Sequence, residues 1–242
     1  MKKSIKLAAC LSLLFVFAAN AQWKSRKKIK GNGIIVTEKR TTADYDQIKV
    51  GGFFDILLVD GKEGNITIEG EENIIPAVVV EVTNHVLTIY PDKNTNFTSR
   101  KRLVITVPVE AVSAVSLAGS GSIISKTTIK SDNLSVQLSG SGDINLSLIA
   151  KNVKTSLSGS GDIVLTGTTT SYDTSLAGSG DIESDELVAM NVNAALSGSG
   201  DISVNCSTDL QATVAGSGDI TYSGKPLKKE TKVSGSGRIS MK

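Results

Sequence analysis

The chain of 242 residues has one histidine, two cysteines, four prolines and one tryptophan. Aromatic residues are 4% of the chain while hydrophobic residues reach 40%, so aliphatic side chains must fill the interior. The histidine, His85, lies in Thr83-Asn84-His85-Val86 and reads as a turn residue. It stands far upstream of Cys206 in an unrelated segment, so a thiol activated by a histidine base is rejected. Charge of one sign is also lacking, with 26 Lys and Arg against 24 Asp and Glu. Loss of Lys2, Lys3 and Lys6 with residues 1–21 leaves 23 against 24. A near-neutral chain argues against nucleic acid or an anionic membrane as the main partner. The modest charge and glycine content argue against wholesale disorder, and the length suffices for a buried core.

The one sustained apolar run, Leu7–Ala19, follows Lys2, Lys3 and Lys6 and precedes Ala19-Asn20-Ala21. This order reads as a signal peptide cleaved after Ala21, and the run is short for a membrane span. Leu7-Ala8-Ala9-Cys10 resembles a lipobox, but too little apolar chain precedes Cys10 to favour lipid attachment. The chain is therefore expected to be exported, to the periplasm or the cell surface. After cleavage only Cys206 remains, which excludes an intrachain disulfide; its alternating surroundings, Ser203-Val204-Asn205-Cys206, indicate a buried, inert thiol. Residues 22–30, with their basic run from Lys24, read as a solvated leader.

A repeated heptapeptide dominates what is present. The pattern [LV]-[SA]-G-S-G-[DSR]-I occurs seven times, with first glycines at Gly119, Gly140, Gly159, Gly178, Gly198, Gly216 and Gly235. Successive spacings are 21, 19, 19, 20, 18 and 19. Alternating segments flank each copy, such as Leu134/Val136/Leu138 before and Ile144/Leu146/Leu148 after, and period 2 means strands with one buried face. A unit of this length cannot bury its apolar face alone, so copies must stack. The expected fold is all-β: a single parallel β-helix (β-solenoid) over residues 31–242, with coils of about 19 residues that become regular from 117. If Leu138 points inward, so do Gly140, Gly142 and Ile144, whereas Ser139, Ser141 and Asp143 point out. Residues before Gly119 are looser. Gly33, Gly52 and Gly70 lie 19 and 18 apart and are read as irregular coils of the same solenoid. Phe53, Phe54, Phe97, Tyr45 and Tyr90 are available to plug its N-terminal end.

Two columns carry the candidate chemistry. Asp143, Asp162, Asp181, Asp201 and Asp219 share one motif position and should line one face at the roughly 4.8 Å strand spacing. Like charges that close repel, so either each carboxylate accepts backbone N–H groups in its own turn or cations sit between rungs; the turn reading is preferred. Ser122 and Arg238 replace Asp at the two ends. Ser141, Ser160, Ser179, Ser199 and Ser217 form a ladder of hydroxyls, a candidate contact face for sugars or another repetitive surface. The motif is not a dinucleotide loop, because the third glycine and the following helix are missing. No catalytic, cofactor-binding or metal-binding residue is assigned.

The segments Gly31-Asn-Gly-Ile34-Ile-Val-Thr-Glu and Phe53-Phe-Asp-Ile-Leu-Leu, followed by serial Gly-Ser-Gly-Asp-Ile, resemble the exported bacterial family called putative auto-transporter adhesin, head GIN domain. The resemblance covers nearly all of residues 31–242 and implies a right-handed parallel β-helix, common in the Bacteroidetes, but carries over no binding residues. No membrane barrel pattern follows the repeats, so a complete autotransporter is not expected. The functional expectation is a non-enzymatic adhesion or interaction module of the cell envelope, without cofactor, whose partners are glycans, other surface polymers or envelope proteins. The alternatives are a carbohydrate-active enzyme on the same fold and a purely structural envelope protein.

Overall fold

Alternation along the chain becomes a separation of core from solvent. In the strand Asp143–Gly159, Ile144, Leu146, Leu148 and Ala150 are buried, then Val153, Thr155 and Leu157. The change from even to odd buried positions falls at Lys151-Asn152, both exposed, where the wall turns a corner. A computed structural model describes residues 27–242. The signal-peptide reading, Cys10 and residues 22–26 lie outside the described residues.

From Ala114 onward each coil lies parallel on the previous one, in register through the glycine corner and with bulges on the wall after it, between Ile124 and Thr128, Val164 and Gly167, and Ser184 and Asn191. Leu117, Leu138, Leu157, Leu176, Leu196 and Val214 form one buried stack. Ile123, Ile144, Ile163, Ile182, Ile202 and Ile220 form a second, across the corner. The result is a β-solenoid of about seven turns. The one helical element among the described residues is a short 3-10 turn at Ile75–Ala77.

The stack starts one rung earlier than the heptapeptide. Gln47–Gly52 pairs in parallel with Ala114–Gly119, and Asp55–Asp60 pairs in parallel with the start of Ser122–Gly140. Residues 47–60 are therefore the first coil, and residues 61–113 are inserted before the second. Within the insertion, Val86–Pro91 and Val104–Val109 lie parallel beneath the two walls of the first coil. Their outer edges are covered by antiparallel strands: Val78–Thr83 on the former, Asn65–Glu71 on the latter, and Ile35–Thr41 outermost. Gly33 and Gly70 are thus not coil corners, and their spacing is coincidental. Gly33, at φ +82°, donates its amide to Glu71, and Gly70 sits in an antiparallel strand opposite Val36.

Lys27–Lys30 is not a free leader; it pairs in parallel with Thr95–Thr98. This small ribbon turns Ile29 and Phe97 toward the core and leaves Lys28, Lys30, Asn96 and Thr98 exposed. Phe54, Phe97 and Tyr45 are buried at this end, whereas Phe53 keeps 41% of its surface exposed.

Candidate binding surfaces

The corner built by each Gly-Ser-Gly-Asp rests directly on the backbone of the corner beneath. The first glycine has φ between 124° and 148° in the coils, a region that disfavours any side chain. The second is required by proximity: a Cβ on Gly161 would collide with the carbonyl oxygen of Gly142 in the coil beneath, and one on Gly180 with that of Gly161. Phe54 occupies this position in the first coil, because no other such corner lies below it. Asp55 and Phe53 accordingly head the aspartate and serine columns, aligned with Ser122 and Ser120.

Asp162, Asp181, Asp201 and Asp219 bond between coils rather than within their own turns. Asp162 Oδ1 accepts from the Asp181 amide at 3.0 Å, Asp181 from Asp201 at 2.8 Å, Asp201 from Asp219 at 2.8 Å, and Asp219 from Arg238 at 2.8 Å. A charge-assisted bond to the next rung offsets the repulsion between neighbours. Arginine ends the column at both extremes. Arg238 Nη2 lies 3.2 Å from Asp219 Oδ2, and Arg102 Nη1 lies 3.6 Å from Asp55 Oδ2. Ser122 joins the series by donating to Asp55 at 2.8 Å. No cluster of three metal-ligating side chains occurs among the described residues.

Ser141, Ser160, Ser179, Ser199 and Ser217 are exposed along the same corner. Their amides donate to glycine carbonyls of the preceding coil at 2.9 Å, which leaves the hydroxyls facing solvent at every rung.

A larger polar array lies on the wall before the corner, unrecognised in the sequence. Asn133, Asn152, Ser171, Asn191 and Asp209 are aligned rung over rung, each seven residues before the first glycine of its repeat. Beside them run Ser135, Lys154, Asp173, Asn193 and Gln211. Asn152 Nδ2 donates to Asn133 Oδ1 at 2.9 Å, and Asn193 Nδ2 to Asp173 Oδ1 at 3.2 Å. A shallow cleft of about 300 Å³ opens between Ser171, Asp173, Asn191, Asn193, Asp209 and Gln211. The constant offset from the glycine is the signal that identifies the column.

Other singled-out groups stand apart from these surfaces. Cys206 is buried, with Sγ 3.2 Å from the Asp209 carbonyl oxygen, and burial pushes its thiol pKa up. His85 has φ 61° beside Asn84 at φ 50°, in the turn joining Val78–Thr83 to Val86–Pro91. Inside the coils, the hydroxyls of Tyr172, Thr155 and Thr174 are buried without a hydrogen-bond partner.

A family model described as putative auto-transporter adhesin, head GIN domain, matches residues 44–226. Among solved structures, a putative adhesin from Bacteroides fragilis is 27% identical with a TM-score of 0.83, over 88% of this chain and 100% of that one. A putative lipid binding protein from Parabacteroides distasonis is also 27% identical, with a TM-score of 0.74 over 89% and 100%. A putative adhesin from Parabacteroides merdae, 24% identical with a TM-score of 0.71 over 89% and 99%, shares the fold. No curated protein matches the chain.

Proposed function

We propose that this chain, which belongs to the putative auto-transporter adhesin, head GIN domain family, is an exported, non-enzymatic binding module of the bacterial cell envelope. The observation that carries the reading is the repeated polar wall of Asn133, Asn152, Ser171, Asn191 and Asp209, with the exposed serine corner along one side. Amide and hydroxyl groups on a fixed lattice match the hydroxyl-rich surface of a polymer whose own groups repeat. Individually weak contacts along such a rod sum to useful avidity. The aspartates are spread one per coil and tied to neighbouring amides, an arrangement unlike the facing pair of carboxyls that glycoside hydrolysis uses. The name of the Bacteroides fragilis relative agrees with adhesion, and that of the Parabacteroides distasonis relative adds lipid as a competing ligand class.

A glycan array run beside a polysaccharide-degradation assay and a vesicle-binding assay tests the reading. Binding without turnover, weakened stepwise as Asn152, Asn191 and Asn193 are changed to Ala, is the expected result. Turnover abolished by substituting one acidic pair would establish an enzyme instead. Silence in every assay would leave a purely structural envelope protein. Protease accessibility on intact cells distinguishes a surface from a periplasmic location.

A further inference from the structure

We infer that the N-terminal end of the solenoid carries a second site, separate from the coil wall, that binds a linear acidic polysaccharide. Two clefts meet there. One, of about 340 Å³, is lined by Phe53, Phe97, Lys101 and Arg102 among others; the other, of about 400 Å³, is lined by Lys28, Lys30 and Asn96. Thr98 lines both, so the two clefts adjoin at that residue and are taken together as one path. Four cations face this path, and Asp55 is its one carboxylate among the described residues. Asp55 is already engaged by Ser122 at 2.8 Å and by Arg102 at 3.6 Å.

The site is held in shape by the fold. Phe53 stands where every later coil has serine, and its ring packs against Phe54 at 5.4 Å and Phe97 at 5.3 Å. The loop bearing Lys101 and Arg102 is pinned by Glu71, whose carboxylate accepts from the Ser99 hydroxyl at 2.7 Å and the Arg100 amide at 2.8 Å. The same carboxylate accepts from the Gly33 amide at 2.7 Å, next to the ribbon that carries Lys28 and Lys30. Three hydrogen bonds from two segments thus converge on one buried acid.

Each component answers to a part of the ligand. A half-exposed aromatic ring offers an apolar platform to the C–H face of a sugar. Asn96, Thr98 and Ser99 supply hydroxyl and amide partners, and the spaced cations pair with carboxylates along a chain. A bilayer is a poorer match, since Phe53 is the one exposed large apolar side chain among the residues lining the path and Ile29 is half-buried against the core. The regular coils repel such a ligand: residues 117–224 hold four lysines and eleven carboxylates. An acidic chain would therefore be confined to this end.

The test titrates the protein with polygalacturonate at low salt. Its fully methyl-esterified form, poly-glutamate and phosphatidylglycerol vesicles serve as comparison arms. The expected result is binding to polygalacturonate that weakens with salt and is at least tenfold tighter than to the ester. Charge reversal at Lys101 and Arg102 together should weaken it by about tenfold or more, the range of hydrogen bonds to charged groups. Phe53→Ser should weaken it severalfold without changing the salt dependence, and because Ser is the residue later coils carry here, folding is preserved. Lys154→Glu on the coil wall should leave it unchanged. Equal binding to the ester, tighter binding to poly-glutamate, binding to vesicles alone, or indifference to Phe53→Ser would each overturn the inference. The coil-wall reading is scored on the Asn152 and Asn191 variants, so the two can fail independently.

Discussion

The first coil and the coils above it solve the same corner in opposite ways. Residues 52–56 read Gly-Phe-Phe-Asp-Ile, and the aligned residues 140–144 read Gly-Ser-Gly-Asp-Ile. Above the first coil, each corner rests directly on the backbone of the one beneath, so the second position cannot carry even a Cβ. In the first coil no corner lies below, and Phe54 fills the space completely. The second glycine is therefore demanded by stacking rather than by the turn itself. The same contrast separates the two ends. The N-terminal end is closed by antiparallel strands and aromatic rings. At the C-terminal end Lys228–Gly235 pairs on one side only among the described residues and places Lys229 and Thr231 over the buried Leu210 and Ala212. Lys229 lies 5.5 Å from the Tyr222 ring and donates to its hydroxyl at 3.2 Å, covering the mouth with a charge compatible with water.

The sharpest break in this comparison is Gly161→Val. Two backbones would have to separate, so the loss should exceed roughly 4 kcal/mol, at the extreme of single substitutions, and circular dichroism should show no cooperative melt at the wild-type temperature. A melting temperature like that of a surface variant would refute the stacking argument. Phe54→Ala should cost about 3–5 kcal/mol, typical of a buried aromatic, measured by denaturant unfolding. It should leave a folded protein with the upper coils intact by hydrogen exchange.

The third test concerns Glu71, which joins the N-terminal loops. The Ser99 hydroxyl, followed by the Arg100 and Gly33 amides, holds its carboxyl below the usual carboxylate range. A depressed folded pKa makes the contribution complete above the unfolded value and removes it as pH falls through the folded one. Glu71→Gln should therefore lower the melting temperature at pH 7, and the gap from wild type should narrow as the pH is taken below the usual carboxylate range. A gap independent of pH would contradict this role. The smallest effect is expected at Asp181→Asn. The Asn side-chain oxygen can still accept from the Asp201 amide, and one repulsive charge is lost, so stability should change within about 0.5 kcal/mol. Melts of both proteins with calcium and with chelator should coincide; stabilisation of wild type alone by calcium would restore the cation reading of the column.

The coils were legible because one steric demand recurs at every rung and leaves the same residues each time. Leu138, Gly140, Gly142 and Ile144 share the inward parity expected from period 2, with Ser139, Ser141 and Asp143 outward. The first coil is announced in the sequence by Gly52 alone, because Phe54 replaces the second glycine while the corner keeps its geometry. The insertion was misread for a different reason: Gly33 and Gly70 serve a loop and an antiparallel pairing, which depend on distant partners that spacing does not reveal. The amide column was hidden by variety. Its positions tolerate Asn, Ser, Asp and Lys because solvent constrains chemistry less than the core does, and only the offset from the glycine is constant. The aspartate bonds run to the next coil, a direction that a single repeat cannot disclose.

The rung-by-rung register also sets how the rod would respond to force. Lys27–Lys30 is fastened at one end of the stack and Ile239–Met241 at the other. Tension between them loads the outermost rung at the C-terminal end in a peeling direction, breaking its bonds in sequence rather than together. Each coil that detaches would release about 19 residues, roughly 65 Å of extended chain, while those beneath keep their contacts. Stretched in this way the molecule would lengthen in steps of about one coil and dissipate a pull progressively.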